Sequence, residues 1–158
     1  MLNIAELIFF DQTREHGVLE NSIFKYIINL DTNKLTFVDE YLRYDDNILD
    51  IKEKKSREFI SNSTKLIVLN KNPQISDFLP ENCQILNLCK IHGGMKIEEI
   101  GKLYGVYNKE EFLPNCLNYN LLNINIFTEM FKKYEKLQVL KCFLGKLDLY
   151  LGVNYEAK

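Results

Sequence analysis

Residues 22–41 read SIFKYIINLDTNKLTFVDEY, and this stretch decides the fold. Its first half is dense in aromatic and β-branched side chains, which fit a pleated, half-buried surface. Asp31, Thr32 and Asn33 follow as a turn signal, because short polar side chains hydrogen-bond their own backbone there. The second half, KLTFVDEY, alternates apolar and polar residues, the period of a strand with one face in water. Two such runs joined by a short turn predict an antiparallel hairpin with a polar outward face.

Upstream of the hairpin, IAELIFF at 4–10 is a short apolar run that ends at Asp11 and predicts a buried strand. The polar string QTREHG at 12–17 is then expected as a loop. Downstream the period changes. Over 45–61, Ile48, Ile51, Phe59 and Ile60 sit among charges with Asp45 or Asp46 available as a cap, the pattern of a helix. KLIVL at 65–69 predicts a central strand, 70–80 a proline-started helical turn carrying Phe78 and Leu79, and QILNL at 84–88 a fifth strand. Helices are expected over 96–104, 119–134 and 137–151. Gly93-Gly94 lacks the flanking pattern of a phosphate loop and predicts a turn before the first of them. The order predicts an α/β domain: a mixed five-stranded sheet, its first three strands antiparallel, with helices on both faces.

Size and charge exclude several function classes. The chain has 158 residues and 18.6 kDa, the size of one domain. With 46% hydrophobic and 27% charged residues it has the composition of a globular protein. Twenty Lys and Arg against 22 Asp and Glu give a net charge of -2, so no global basic field attracts nucleic acid. No apolar run approaches the ~18 residues that span a bilayer. The opening MLNIAELIFFD lacks a basic n-region and a small-residue cleavage site, which predicts a chain that is not secreted. Cys83, Cys89, Cys116 and Cys142 lack Cys-x-x-Cys spacing, so buried free thiols in a reducing cytoplasm are expected rather than a metal site or disulfides.

Four places, in order, resemble the proofreading-type 3′-5′ exonucleases with the ribonuclease-H-like fold, relatives of the epsilon subunit of replicative DNA polymerase. FFDQTREHG at 9–17 resembles the family's F-D-x-E-T-T-G, one residue longer; the hairpin of 22–41 resembles the family's next element. IVLNKNPQISDFL at 67–79 resembles the central strand and H-N-x-x-F-D-x-x-F-L, with Phe78 and Leu79 at the matching spacing. IEEIGKLYGV at 97–106 and NYNLLNINIFTE at 118–129 resemble the family's later helices. On this resemblance 1–135 is an exonuclease-like domain, and 136–158 a C-terminal helical extension packed on the same domain or on a partner.

The family hydrolyses phosphodiesters with two divalent cations held by four carboxylates, and a histidine serves as general base. Carried over position by position, only Asp11 keeps an acid. Thr13, Ile75 and Asn123 stand at the other three acids, Asn118 at the histidine, and Asn70-Lys71 at the His-Asn pair. Hydroxyls and amides can touch a cation but do not neutralise it. The resemblance therefore implies a catalytically inactive relative acting as a binding or scaffolding module in DNA replication or repair, with no cofactor. Asp11 is the single candidate metal ligand; Asn70 and Lys71 are candidate nucleic-acid contacts, giving weak single-stranded DNA binding at most.

Two alternatives stay open. A divergent active nuclease would use Asp11, Glu15 and Asp77 with Mg²⁺ or Mn²⁺; an unrelated protein-interaction domain would need none of these. Without the resemblance, Asp11 would simply cap the loop after its strand, and His16 and His92 read as exposed loop residues. Most aromatics fall in strand and helix patterns and predict core packing, with Tyr104 and Tyr107 as candidates for base stacking. Between Leu137 and Leu151 there are more apolar residues than one core-facing stripe requires, so a protein partner or self-association through that helix is expected, and no membrane.

Overall fold

The computed structural model describes residues 4–15, 18–29, 32, 34–45, 59–60, 63–71 and 83–133. Five strands form one mixed sheet: β1 (Ile4–Glu15), β2 (Val18–Asn29), β3 (Lys34–Asp45), β4 (Thr64–Leu69) and β5 (Gln84–Asn87), in the order β3-β2-β1-β4-β5. β1, β2 and β3 pair antiparallel, as the sequence predicts, and β4 joins β1 in parallel with β5 beyond it. Three helices follow: α1 (Leu88–Ile91), α2 (Ile97–Leu103) and α3 (Cys116–Lys133).

The first hairpin is longer than the apolar run suggests. The expected loop at 12–17 is mostly strand: β1 runs on to Glu15, and Gln12 faces Asn21 and Thr13 faces Glu20 across the ladder. Polar residues extend the strand because the ladder bonds are made by backbone, and because Gln12 Nε2 donates to Asn21 Oδ1 at 2.8 Å inside the protein. QILNL is cut short instead. Leu88 opens α1, because the Asn87 side chain accepts from the Lys90 amide and caps it. The helix predicted at 119 begins at Cys116, one turn earlier, since Asn115 Oδ1 accepts from the Asn118 amide at 2.8 Å.

Strand alternation sorts the core into two layers. Leu7 and Phe9 of β1, Phe24 and Ile28 of β2, and Leu66 and Val68 of β4 pack with α2 and α3. Ile8, Phe10, Ile23, Ile67 and Leu69 point the other way and pack with Ile60. Both faces of β1 at 7–10 and of β4 at 66–69 are thus dry, which explains why LIFF and LIVL read as unbroken apolar runs. The helix expected over 45–61, the turn over 70–80 and the helix over 137–151 lie outside the described residues, except for Phe59, Ile60, Asn70 and Lys71, and Asp45 as the end of β3. Among the described residues no helix is long and apolar enough to cross a membrane.

Candidate functional site

α3 crosses the sheet over β1, and its core-facing stripe carries polar residues where apolar ones would be ordinary. Cys116, Asn120 and Asn123 follow at four- and three-residue steps, one face of a helix, and all are buried. Buried amides need partners, and the sheet supplies them. Asn120 Nδ2 donates to Phe9 O and Ser22 O, each at 2.9 Å, and lies 3.1 Å from Ser22 Oγ. Asn123 Nδ2 donates to Phe10 O at 3.3 Å and to Asn120 Oδ1 at 3.2 Å. The Cys116 thiol donates to Asp11 O at 3.3 Å.

Asn70, at the end of β4, closes the chain of contacts. Its Nδ2 donates both to Asp11 Oδ1, at 3.1 Å, and to Asn123 Oδ1, at 2.9 Å. Three positions singled out from sequence, Asp11, Asn70 and Asn123, therefore meet through one amide group. Asp11 is only 1% exposed, and its second oxygen, Oδ2, is buried with no hydrogen-bond partner among the described residues. It lies within a strand instead of capping a loop.

Burial pushes the Asp11 pKa up to about 6, against the pull of the Lys71 charge and of the hydrogen bond from Asn70. Burial, and then the Asp11 carboxylate, push the Cys116 thiol far above its ordinary range, so it is an inert packing group rather than a nucleophile. Cys83, Cys89 and Cys116 are free thiols.

The other expected residues stand at the edge of this seam or away from it. Asn118, matched to the family's histidine, donates from Nδ2 to Leu113 O at 2.8 Å and braces the start of α3. Thr13 is half-buried beside Cys116, with which it shares a hydrogen bond. Lys71 is exposed and acts on Asp11 by charge alone. Glu15 pairs with Val18 at the far end of the hairpin, about 13 Å along the strand from Asp11. Ile75, Asp77, His16 and the extension 136–158 lie outside the described residues. His92 is not an exposed loop residue: its Nδ1 lies 2.7 Å from Leu88 O and its Nε2 3.0 Å from Tyr104 Oη, tying α1 to the end of α2. Tyr104 thus has a bracing role, and Tyr107 packs at a tilt against Phe112 with ring centroids 5.2 Å apart.

The donor set among the described residues does not fit a pair of divalent cations. Asp11 brings one carboxylate, Asn123 brings a neutral oxygen already accepting a hydrogen bond, and Asn70 presents N–H groups toward both. Among the described residues no three His, Cys, Asp or Glu side chains group to hold a metal ion. Sequence reasoning expected Cys116 as a buried thiol but gave neither it nor Asn120 a place in the site, because local pattern does not say which stripe of α3 lies over which carbonyls. The fold and seam define an α/β domain whose polar centre is bonded to itself except at Asp11 Oδ2. No family model, no curated protein and no solved structure matches the chain.

Proposed function

We propose that this chain is a catalytically inactive relative of the epsilon-type 3′-5′ exonucleases, with a ribonuclease-H-like fold, acting as a binding or scaffolding module in DNA replication or repair. One observation carries the reading. The Asn70 amide bridges Asp11 and Asn123, the positions matched to the family's first and fourth acids, so hydrogen bonds do there what cations do in an active member. The antiparallel β1–β3 meander and parallel β4 support the same resemblance.

The donors that would meet a phosphate are already used. Asn70 and Asn123 are buried and bonded inward, and Asn118 is bonded to Leu113 O. Lys71 remains as an exposed cation. Single-stranded DNA is therefore expected to bind no tighter than about 10⁻⁵ M at physiological salt. The partner is a protein, a polymerase or another replication or repair factor, or a second copy joined through 136–158. Incubation of the full chain with labelled single-stranded DNA and Mg²⁺ or Mn²⁺ should release no nucleotides. Metal-dependent release that Asp11→Ala abolishes would overturn the proposal and favour the divergent nuclease.

A further inference from the structure

β3 is an edge of the sheet: the order β3-β2-β1-β4-β5 leaves its outer side without a neighbouring strand among the described residues. At 12 residues it is long for an edge, and an edge is a row of N–H and C=O groups on which a second chain can add. Its side chains increase that liability. Lys34 and the run 36–40 are exposed, and within the run Phe37 is 49% and Val38 45% exposed. The Phe37 ring is covered from one side only, lying 5.6 Å from the Tyr26 ring and 6.1 Å from that of Phe24.

Two local features work against such addition. The first is a bulge: Tyr26 pairs with Phe37 and Lys25 with Asp39, so the ladder passes over Val38. The extra residue switches the alternation, and Leu35 packs with the α2–α3 layer of the core while Tyr41, also at an odd position, packs with the opposite layer. A bulge bends its strand and increases the local twist, which carries the edge off the course that an added strand must follow. The second feature is a pair of carboxylates. Asp39 and Glu40 are exposed next to the bulge, and Asp39 Oδ1 accepts from the Glu40 amide at 2.8 Å, so this donor is already used. A second β3 laid antiparallel and centred on Asp39 or Glu40 would set like carboxylates opposite each other, which is destabilising.

We propose that the Val38 bulge, together with Asp39 and Glu40, guards the β3 edge and keeps a second copy of this chain from adding to the sheet by strand pairing. Removing Val38 would make the ladder continuous, because Phe37 and Asp39 already pair with consecutive residues of β2, Tyr26 and Lys25. Removing the two carboxylates would free the Glu40 amide and lift the repulsion. The guard is independent of the binding-module reading, since it concerns the sheet edge whatever the protein binds.

The test compares the full chain with a variant that lacks Val38 and carries Asp39→Thr and Glu40→Thr, using sedimentation and amide hydrogen exchange over a concentration series. The variant should self-associate about tenfold or more tightly than wild type, with exchange over 34–41 slowing as concentration rises. Wild type should show no such slowing over 34–41, whatever joins copies through 136–158. Asp39→Thr with Glu40→Thr on the intact strand changes two exposed side chains and leaves the bulge in place. This double variant should gain about threefold in association, again with slowed exchange over 34–41. No gain by the double variant, association of the deletion variant equal to wild type, or slowed exchange over 34–41 in concentrated wild type would each overturn the proposal.

Discussion

The seam under α3 and the loop that precedes α3 invert the usual placement of side chains. In the seam, amides and a carboxylate are sealed inside and bonded to one another. In the loop, Leu113 is 70% exposed although the amides of 104–106 and 110–112 before it are bonded. Polarity alone would nominate the seam as the binding site, and exposure nominates the loop. The seam amides have their hydrogen bonds inside the protein and gain little by meeting a ligand, Asp11 Oδ2 being the exception, whereas exposed apolar area gains from being covered. The seam ties α3 to the sheet, and the loop leaves Leu113 in solvent.

The largest effect that would break this contrast is at Asn120. Asn120→Ala removes the donor to Phe9 O and Ser22 O and leaves a small void. It should cost about 2–4 kcal/mol in urea unfolding. A loss under about 1 kcal/mol would mean that the seam does not anchor α3.

Asp11 sharpens the comparison through pH. Its folded pKa of about 6 lies above the 3.8 of an unperturbed aspartate, so the folded protein holds this proton more tightly than the unfolded chain. The associated stability is complete below the unfolded value, falls as pH rises between the two, and is lost above the folded value. Two pK units correspond to about 3 kcal/mol. Asp11→Asn should flatten that profile and gain about 2 kcal/mol over wild type at pH 8, the remainder being offset by a buried N–H pair lacking partners. Parallel stability curves for the two proteins from pH 4 to 8 would show that Asp11 is solvated.

At the loop, Gly101→Ala forces a methyl group against Tyr107 and Leu122, the latter at 3.0 Å. Overpacking should exceed the helix-propensity gain of about 1 kcal/mol, giving a net loss of about 1–2 kcal/mol with chemical-shift changes concentrated between Tyr104 and Phe112. A stabilised variant would mean that the loop yields easily. The smallest effect is expected at the rim: Leu113→Ser should change stability by less than about 0.5 kcal/mol. A larger loss would show that Leu113 supports the fold rather than a partner.

Much of this architecture was legible because hydrophobic periodicity reports burial, and burial follows strand and helix geometry. The runs at 7–10 and 66–69 mark strands dry on both faces, and 22–41 marks a hairpin. The seam was legible only in part. Asp11, Asn70 and Asn123 could be nominated from position, but Asn120 and Cys116 could not, since nothing in a single chain says which stripe of α3 lies over which carbonyls. His92 was misread for the same reason: its partners Leu88 and Tyr104 are contributed by two helices whose packing is not written in local pattern.

The sequence by itself determined the α/β class and the antiparallel start of the sheet. These follow from local period and residue chemistry, which need no knowledge of neighbours. The tertiary structure alone decided that the Asn70 amide spans Asp11 and Asn123 and that Asn118 turns to Leu113 O. Each depends on contacts between residues distant along the chain or on the shape of a loop. Such contacts arise when helices settle on a sheet, a three-dimensional arrangement that residue order specifies only through the whole fold.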